Sequence, residues 1–441
     1  MGATVLTQCV LQGICACLSY DASSEASCFG PIPSYRHFAS RTDYGYAVEP
    51  HAAAAVVPLS VPDGCQPSLF FAFQRHTIRY PKVKNINESD ELLPEIQRKL
   101  ADKDNKGKLC ESDIQSILNW TNPFTLGHDA LITGSGRKVV REQVKRLRKR
   151  FPNVFKNRTS LENVVMDFSE KGNRSFETGE IFLREWFGDA IYEKEIAEIV
   201  NNQTNLLNNF KDSCDEMLAA TGFIASTPQG EALKDSKPYK KFKRTIEKRL
   251  GFDLRKKQLK IIMTQCRFEM VSFNRSPWCA LFSDEDFRIL ELLDDAESFD
   301  EDSYGTPRNQ RVACPLAADM LDYIKQSAAA NTTDIHPKVV LHFSHSGALK
   351  KLVTLFGIGR EFDQDCSKRA WRLSSISPFN ANFNAVYYKC LGEQKDKVAV
   401  LLNEKIMKLD GCGGDLCDAT DFVALLESKA KNCDLKQICS T

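Results

Sequence analysis

Two short stretches concentrate side chains suited to phosphoryl chemistry. The first is Arg75-His76-Thr77-Ile78-Arg79-Tyr80-Pro81, a histidine held between two arginines. Guanidinium forks neutralise phosphate oxygens, and an imidazole can attack phosphorus to form a covalent phosphohistidine. The flanking positive charge also disfavours imidazolium, which keeps the nucleophile neutral in mildly acidic solution. The second stretch is His342-Phe343-Ser344-His345-Ser346-Gly347, whose histidine could stabilise a group in transfer to the first. On spacing alone, the first stretch equally describes a basic strand end at the surface. The second equally describes a histidine satisfied within a β-to-α turn.

Both stretches need strands to deliver them. Pro67 to Gln74 is a nearly continuous apolar run that reads as a buried strand, and Lys338 to Ser344 is another, followed by helical spacing from Ala348 to Phe356. In an α/β sheet, ligands bind beyond the carboxyl ends of the strands, where both histidines fall. Further strands are expected at Asn384 to Cys390 and Val398 to Leu402. Between these ends, Gly136 to Leu293 is mainly helical: Val139, Val140, Val144, Leu147 and Phe151 form one apolar stripe, and helices are expected at Ile181 to Trp186, Ile191 to Phe210 and Asp284 to Leu293. The acidic stretch Asp294 to Arg308 reads as a solvated loop. The expected architecture is an α/β sheet domain from residues 28–135 and 310–441, with a mainly helical cap inserted as 136–309.

Composition bounds the rest. The 441 residues are 42% hydrophobic and 27% charged, which excludes disorder as the main state. The formal charge of +1 leaves no whole-molecule attraction for nucleic acid. Sixteen cysteines without a paired zinc framework point to disulfides and an oxidising compartment. Seven Asn-x-Ser/Thr sequons, at Asn87, Asn119, Asn157, Asn173, Asn202, Asn274 and Asn331, agree with that compartment. Val5 to Leu18 is uncharged and as long as a signal-peptide hydrophobic region, with small residues from Ala22 to Ser27, so residues 1–27 read as a signal peptide. The alternative is a buried N-terminal segment, since no basic residue precedes the run. No other stretch reaches the length of a membrane span. The expected location is secreted or within the ER lumen, with glycans at Asn87, Asn119, Asn157, Asn202 and Asn331. Cys266 and Cys279 are the pair expected to form a disulfide. Cys412 and Cys417 bracket a glycine-rich turn, with no histidine cluster nearby to favour a metal.

The combination Arg-His-x-x-Arg-x-Pro, a helical insertion and a late strand-His-helix resembles the histidine acid phosphatase branch of the histidine phosphatases, which share the phosphoglycerate-mutase-like α/β fold. More closely, the chain resembles the multiple inositol polyphosphate phosphatases. Cys266-Arg-Phe-Glu269, Ser276 to Phe282, Ser377 to Asn382, Tyr387 to Cys390 and Leu401 to Lys405 support the likeness, which runs from about Tyr44 to the C-terminus. The resemblance implies His76 as nucleophile, Arg75 and Arg79 as phosphate ligands and His345 as the second pocket histidine. It implies a phosphohistidine hydrolase of inositol polyphosphates that uses no metal and no cofactor. A third phosphate-binding arginine of the family matches Arg174, eight residues before Phe182. Its alternative is a surface arginine, and a glycan on the overlapping sequon Asn173 would crowd the pocket.

Two departures bear on activity. Thr77 stands where the family has glycine, so a Cβ there is expected to restrict the loop or the approach of phosphate. His345-Ser346-Gly347 stands where these inositol phosphatases read His-Ala-Glu, so the carboxyl that would protonate the leaving oxygen is missing. General acid catalysis is worth about 10²–10⁴ in rate, so alcohol leaving groups should be slow and aryl phosphates less affected. A second reading is therefore an impaired, secreted protein that binds anionic phosphate compounds. The basic runs Arg137 to Arg150, with eight Lys/Arg, and Lys237 to Lys260, with eleven, read mainly as solvated helix faces, with binding of sulfated glycans as a third possibility. Lys82 is better placed for a peripheral phosphate.

Overall fold

A computed structural model describes residues 37–155, 161–169, 174–196, 206–220, 227–330, 337–365 and 368–440. Among these, β1 (Cys65–Arg75), β2 (Val164–Phe168), β3 (Lys338–Ser344), β4 (Asn382–Cys390), β5 (Lys397–Leu402), β6 (Lys405–Ile406) and β7 (Leu416–Asp418) form one sheet. Its order is β2-β3-β1-β4-β5-β6, with β7 paired to β5. β2, β3 and β1 run parallel, β4 lies antiparallel to β1, and β5 antiparallel to β4.

The apolar run Leu69 to Phe73 in β1 has no polar interruption because the sheet is covered on both faces. Alternate side chains point to opposite sides. Leu69, Phe71 and Phe73 join Val340, Phe383 and Tyr387 in one core, while Phe70 and Ala72 join Val339, Leu341 and Val386 in the other. Full burial of such a side chain contributes about 1.5–3 kcal/mol, so β1 is pinned in register by several independent contacts.

The longer helices are α1 (Val83–Leu100), α2 (Gly134–Arg150), α3 (Arg174–Phe187), α4 (Leu206–Ala220), α5 (Lys237–Leu250), α6 (Lys256–Phe273), α7 (Asp284–Asp302), α8 (Cys314–Ala329) and α9 (Ser346–Leu355). α2 lays Val140, Val144 and Leu147 against the Phe70 face, together with Phe182 and Trp186 of α3. α8, α9 and Phe210 of α4 cover the Phe71 face. A separate core joins Ile86, Leu93 and Ile96 of α1 to Phe242 of α5, Ile262 and Phe268 of α6 and Phe287 of α7.

Three features differ from the sequence reading. β2 lies within 136–309 yet pairs with β3, so the inserted stretch also supplies the sheet with a strand. Conversely α1, from the stretch assigned to the sheet domain, builds the separate helical core. The acidic run from Asp294 is not a solvated loop: α7 continues to Asp302. Three of its carboxylates are paired with cations, Asp294 with Arg267 at 2.6 Å, Asp295 with Arg369 at 2.9 Å and Asp302 with Lys351 at 3.0 Å and with Lys350. Buried carboxylates persist only when paired in this way.

Five disulfides join described residues: Cys65–Cys390, Cys214–Cys439, Cys266–Cys279, Cys314–Cys433 and Cys412–Cys417. They fit an extracellular or lumenal protein. No described helix is long and apolar enough to cross a membrane. Asn87, Asn119 and Asn274 are exposed. The signal-peptide assignment and the sequons at Asn157, Asn173, Asn202 and Asn331 lie outside the described residues.

Candidate active site

The register of β1 and β3 sets the site. Arg75 pairs with Ser344, so the next residue on each strand, His76 and His345, emerge side by side at the carboxyl ends. Their ring centroids are 5.6 Å apart and edge to face. The end of β1 is held from both sides: His76 N donates to Ser344 O at 3.0 Å, and Asn380 N donates to His76 O at 3.1 Å. The His76 ring is fixed by a 2.8 Å contact of Nδ1 with the Thr77 carbonyl. A carbonyl only accepts, so Nδ1 carries the proton and Nε2 keeps its lone pair. That is the tautomer a nitrogen nucleophile requires.

Cations crowd these rings. Burial, followed by the charges of Arg75, Arg174 and Arg79, holds His76 well below the ordinary histidine range. Burial and the same three arginines, with Lys82, bring His345 down to about 3. Both imidazoles are thus neutral in mildly acidic solution. Arg75 donates through Nη1 to the Ser40 and Ser377 carbonyls and lies 4.5 Å over the Phe379 ring. Arg79 donates to Tyr80 O at 2.8 Å and rests 5.4 Å over the Phe268 ring. Burial and the neighbouring Arg174 and Arg41 lower it to about 9. The Nε atoms of Arg75 and Arg79 are buried without a hydrogen-bond partner in the protein, which suits an anion with several acceptor oxygens.

Arg174 opens α3, and its carbonyl accepts from Thr178 Oγ1 at 2.7 Å. The same hydroxyl accepts from Thr77 N at 3.1 Å, which ties the first turn of α3 to the loop after His76. His345 Nε2 lies 3.3 Å from Ser169 Oγ, just beyond β2. Lys82 precedes α1, is exposed, and acts on His345 through its charge.

Thr77 keeps the loop in a conformation open to any residue, as a Cβ requires. It has no positive φ, it is wholly buried, and its hydroxyl donates to Gly136 O at 3.0 Å. Gly136, in the first turn of α2, packs closely on the next residue of that loop: a Cβ there would overlap Ile78 O. Gly347 has a different consequence. A Cβ built there would overlap Cδ and Cε of Lys211, whose ammonium pairs with Asp215. The lysine stem fills the space in which a side chain at 347 would begin. The largest influences on both histidines are burial and cations, with no carboxylate among them.

Sequence reading missed Arg41, whose charge acts on both Arg75 and Arg79, and the Phe268 and Phe379 rings that carry the guanidinium groups. The aromatic residues stand in Cys266-Arg-Phe-Glu269 and in the stretch Ser377 to Asn382, both of which carry the family likeness. Arg41 has no motif around it.

Fold and site define a class: an α/β protein with two histidines and a ring of arginines at the carboxyl ends of adjacent parallel strands. Residues 71–403 match the profile of the histidine phosphatase superfamily (branch 2). The chain belongs to that family of phosphatases. It is 28% identical over 384 residues to multiple inositol polyphosphate phosphatase 1 of Drosophila melanogaster, covering 82% of this chain and 79% of the relative. It is 24% identical to phytase A of Aspergillus oryzae, covering 82% of each chain. The crystal structure of Bifidobacterium longum multiple inositol polyphosphate phosphatase in complex with phosphate superposes with a TM-score of 0.69, at 15% identity, over 90% of this chain and 98% of that one.

Proposed function

We propose that the protein hydrolyses phosphomonoesters of inositol polyphosphates, phytate-like compounds, through a phosphohistidine on His76. Arg75, Arg79 and Arg174 hold the phosphoryl oxygens while Nε2 of His76 attacks phosphorus. The bond to the inositol oxygen breaks, and its electron pair leaves with that oxygen, which takes a proton from water. Water then attacks the phosphohistidine and releases inorganic phosphate. His345 stabilises the transferring group in both steps, and Lys82 meets a peripheral phosphate. The observation that carries this reading is the Nδ1 contact with Thr77 O, which leaves Nε2 available among the arginines. The oxidised cysteines support an extracellular or lumenal site of action, and the helices of the separate core are read as its cap.

A second reading is favoured by one observation: Gly347 offers no carboxyl and Lys211 fills the space beside it. On that reading the pocket binds phosphate compounds with little turnover of alkyl esters. Phosphate release from inositol hexakisphosphate and from an aryl phosphate, measured from pH 4 to 8 with His76→Ala in parallel, separates the two. Turnover of both substrates that disappears in the variant supports the hydrolase. Turnover of the aryl ester alone leaves a working nucleophile without a proton donor. Binding with no turnover of either substrate sinks the enzymatic reading.

A further inference from the structure

Arg41 ends the short 3₁₀ turn Ala39–Arg41 ahead of the sheet. That turn is attached to the site, because Arg75 donates to Ser40 O. The Arg41 guanidinium lies 5.4 Å from the centroid of Phe268, the ring that also carries Arg79 at 5.4 Å. Two like charges therefore share one aromatic platform. The nearby carboxylate, Asp294, is engaged by Arg267 at 2.6 Å. Among the described residues none hydrogen-bonds the Arg41 guanidinium, which leaves all five N–H donors for a ligand.

Charge and position then assign the ligand. A phosphoryl group under transfer presents three non-bridging oxygens, and Arg75, Arg79 and Arg174 already supply three forks around His76. Arg41 shares the Phe268 ring with Arg79, and the residue before it accepts from Arg75, so it stands beside both of those arginines. Like charges so placed repel unless an anion lies against them.

We infer that Arg41 binds a second phosphate of the substrate, next on the ring to the phosphate facing His76, and so favours polyphosphorylated over singly phosphorylated esters. The inference rests on the inositol polyphosphate reading above, and its test is chosen to fail separately. Titration calorimetry of the full chain compares inositol hexasulfate, which is not hydrolysed, with inorganic phosphate for the wild type, Arg41→Met and Arg41→Lys. In Arg41→Met the hexasulfate should bind about 10- to 100-fold more weakly, the usual effect of losing hydrogen bonds to a charged group, and inorganic phosphate by less than about threefold. Arg41→Lys should recover part of the loss, because the charge returns without the planar fork. It also serves as the comparison if Arg41→Met does not fold.

Equal weakening of both ligands, or no weakening of the hexasulfate, overturns the assignment. A wild type that binds the hexasulfate no better than phosphate overturns it together with the polyphosphate reading. Selective loss in a protein that turns over neither ester supports Arg41 as a ligand and sinks only the hydrolase.

Discussion

The depressed titration of His345 makes the ligand-free fold sensitive to acid. Its pKa is about 3 in the folded protein against 6.5 ordinarily, because burial and the three arginines oppose the imidazolium. Below pH 6.5 the unfolded chain takes up a proton that the folded protein refuses, so stability falls as pH falls and continues to fall until the folded value is reached. At 1.36 kcal/mol per pH unit, the step from pH 7 to pH 5 removes about 2 kcal/mol through His345 alone. His76 shifts in the same direction and adds to the loss. Replacement by asparagine removes the titration, so His345→Asn should lose about 2 kcal/mol less than wild type over that interval. Urea unfolding at both pH values, followed by tryptophan fluorescence, measures the difference. Inositol hexasulfate should flatten the wild-type dependence, since bound anions favour the imidazolium. Equal losses in the wild type and the variant would refute the electrostatic account of the pocket.

Three further outcomes are expected. Gly136→Ala should cost about 1–3 kcal/mol and slow aryl phosphate turnover, because the new methyl meets backbone at Ile78 and pushes the loop after His76; melting and steady-state kinetics check both. Gly347→Glu should lose less than about 1 kcal/mol, because the atoms it meets are the movable end of Lys211, and thermal melts check this; a larger loss would show that the lysine stem is held in place. Replacing Cys65 and Cys390 by serine should remove about 2–4 kcal/mol, since that bridge joins the starting end of β1 to the last residue of β4; thermal melts with and without reductant report it.

The histidines were legible because each follows a strand buried on both faces, where an uninterrupted apolar run is the direct imprint of the packing. What the runs could not show is register: the pairing of Arg75 with Ser344 brings the histidines together, and it depends on contacts between segments far apart in the chain. β2 escaped notice because Val164 to Phe168 is short and lies among helices, so its apolar residues read as part of a helical pattern. The acidic end of α7 looked solvated because its partners, Arg369, Lys350 and Lys351, come from later segments that local composition does not weigh. Arg41 failed for the same reason: it acts through a ring contributed by α6 and a carbonyl bond from Arg75.

Gly347 and the stem of Lys211 share one space at the start of α9. A side chain at 347 displaces Cδ and Cε of Lys211, the movable end of that residue. On the proposed mechanism Arg75, Arg79 and Arg174 stabilise negative charge on the phosphoryl group, and removing one such donor from a preorganised site typically costs about 10²–10³ in rate. A general acid is worth about 10²–10⁴, which is the same range. Arginines that hold the phosphoryl oxygens do not protonate the leaving oxygen. On the proposed mechanism the missing carboxyl at 347 should therefore weigh most on esters with poor leaving groups, and aryl phosphates should be turned over faster than alkyl ones.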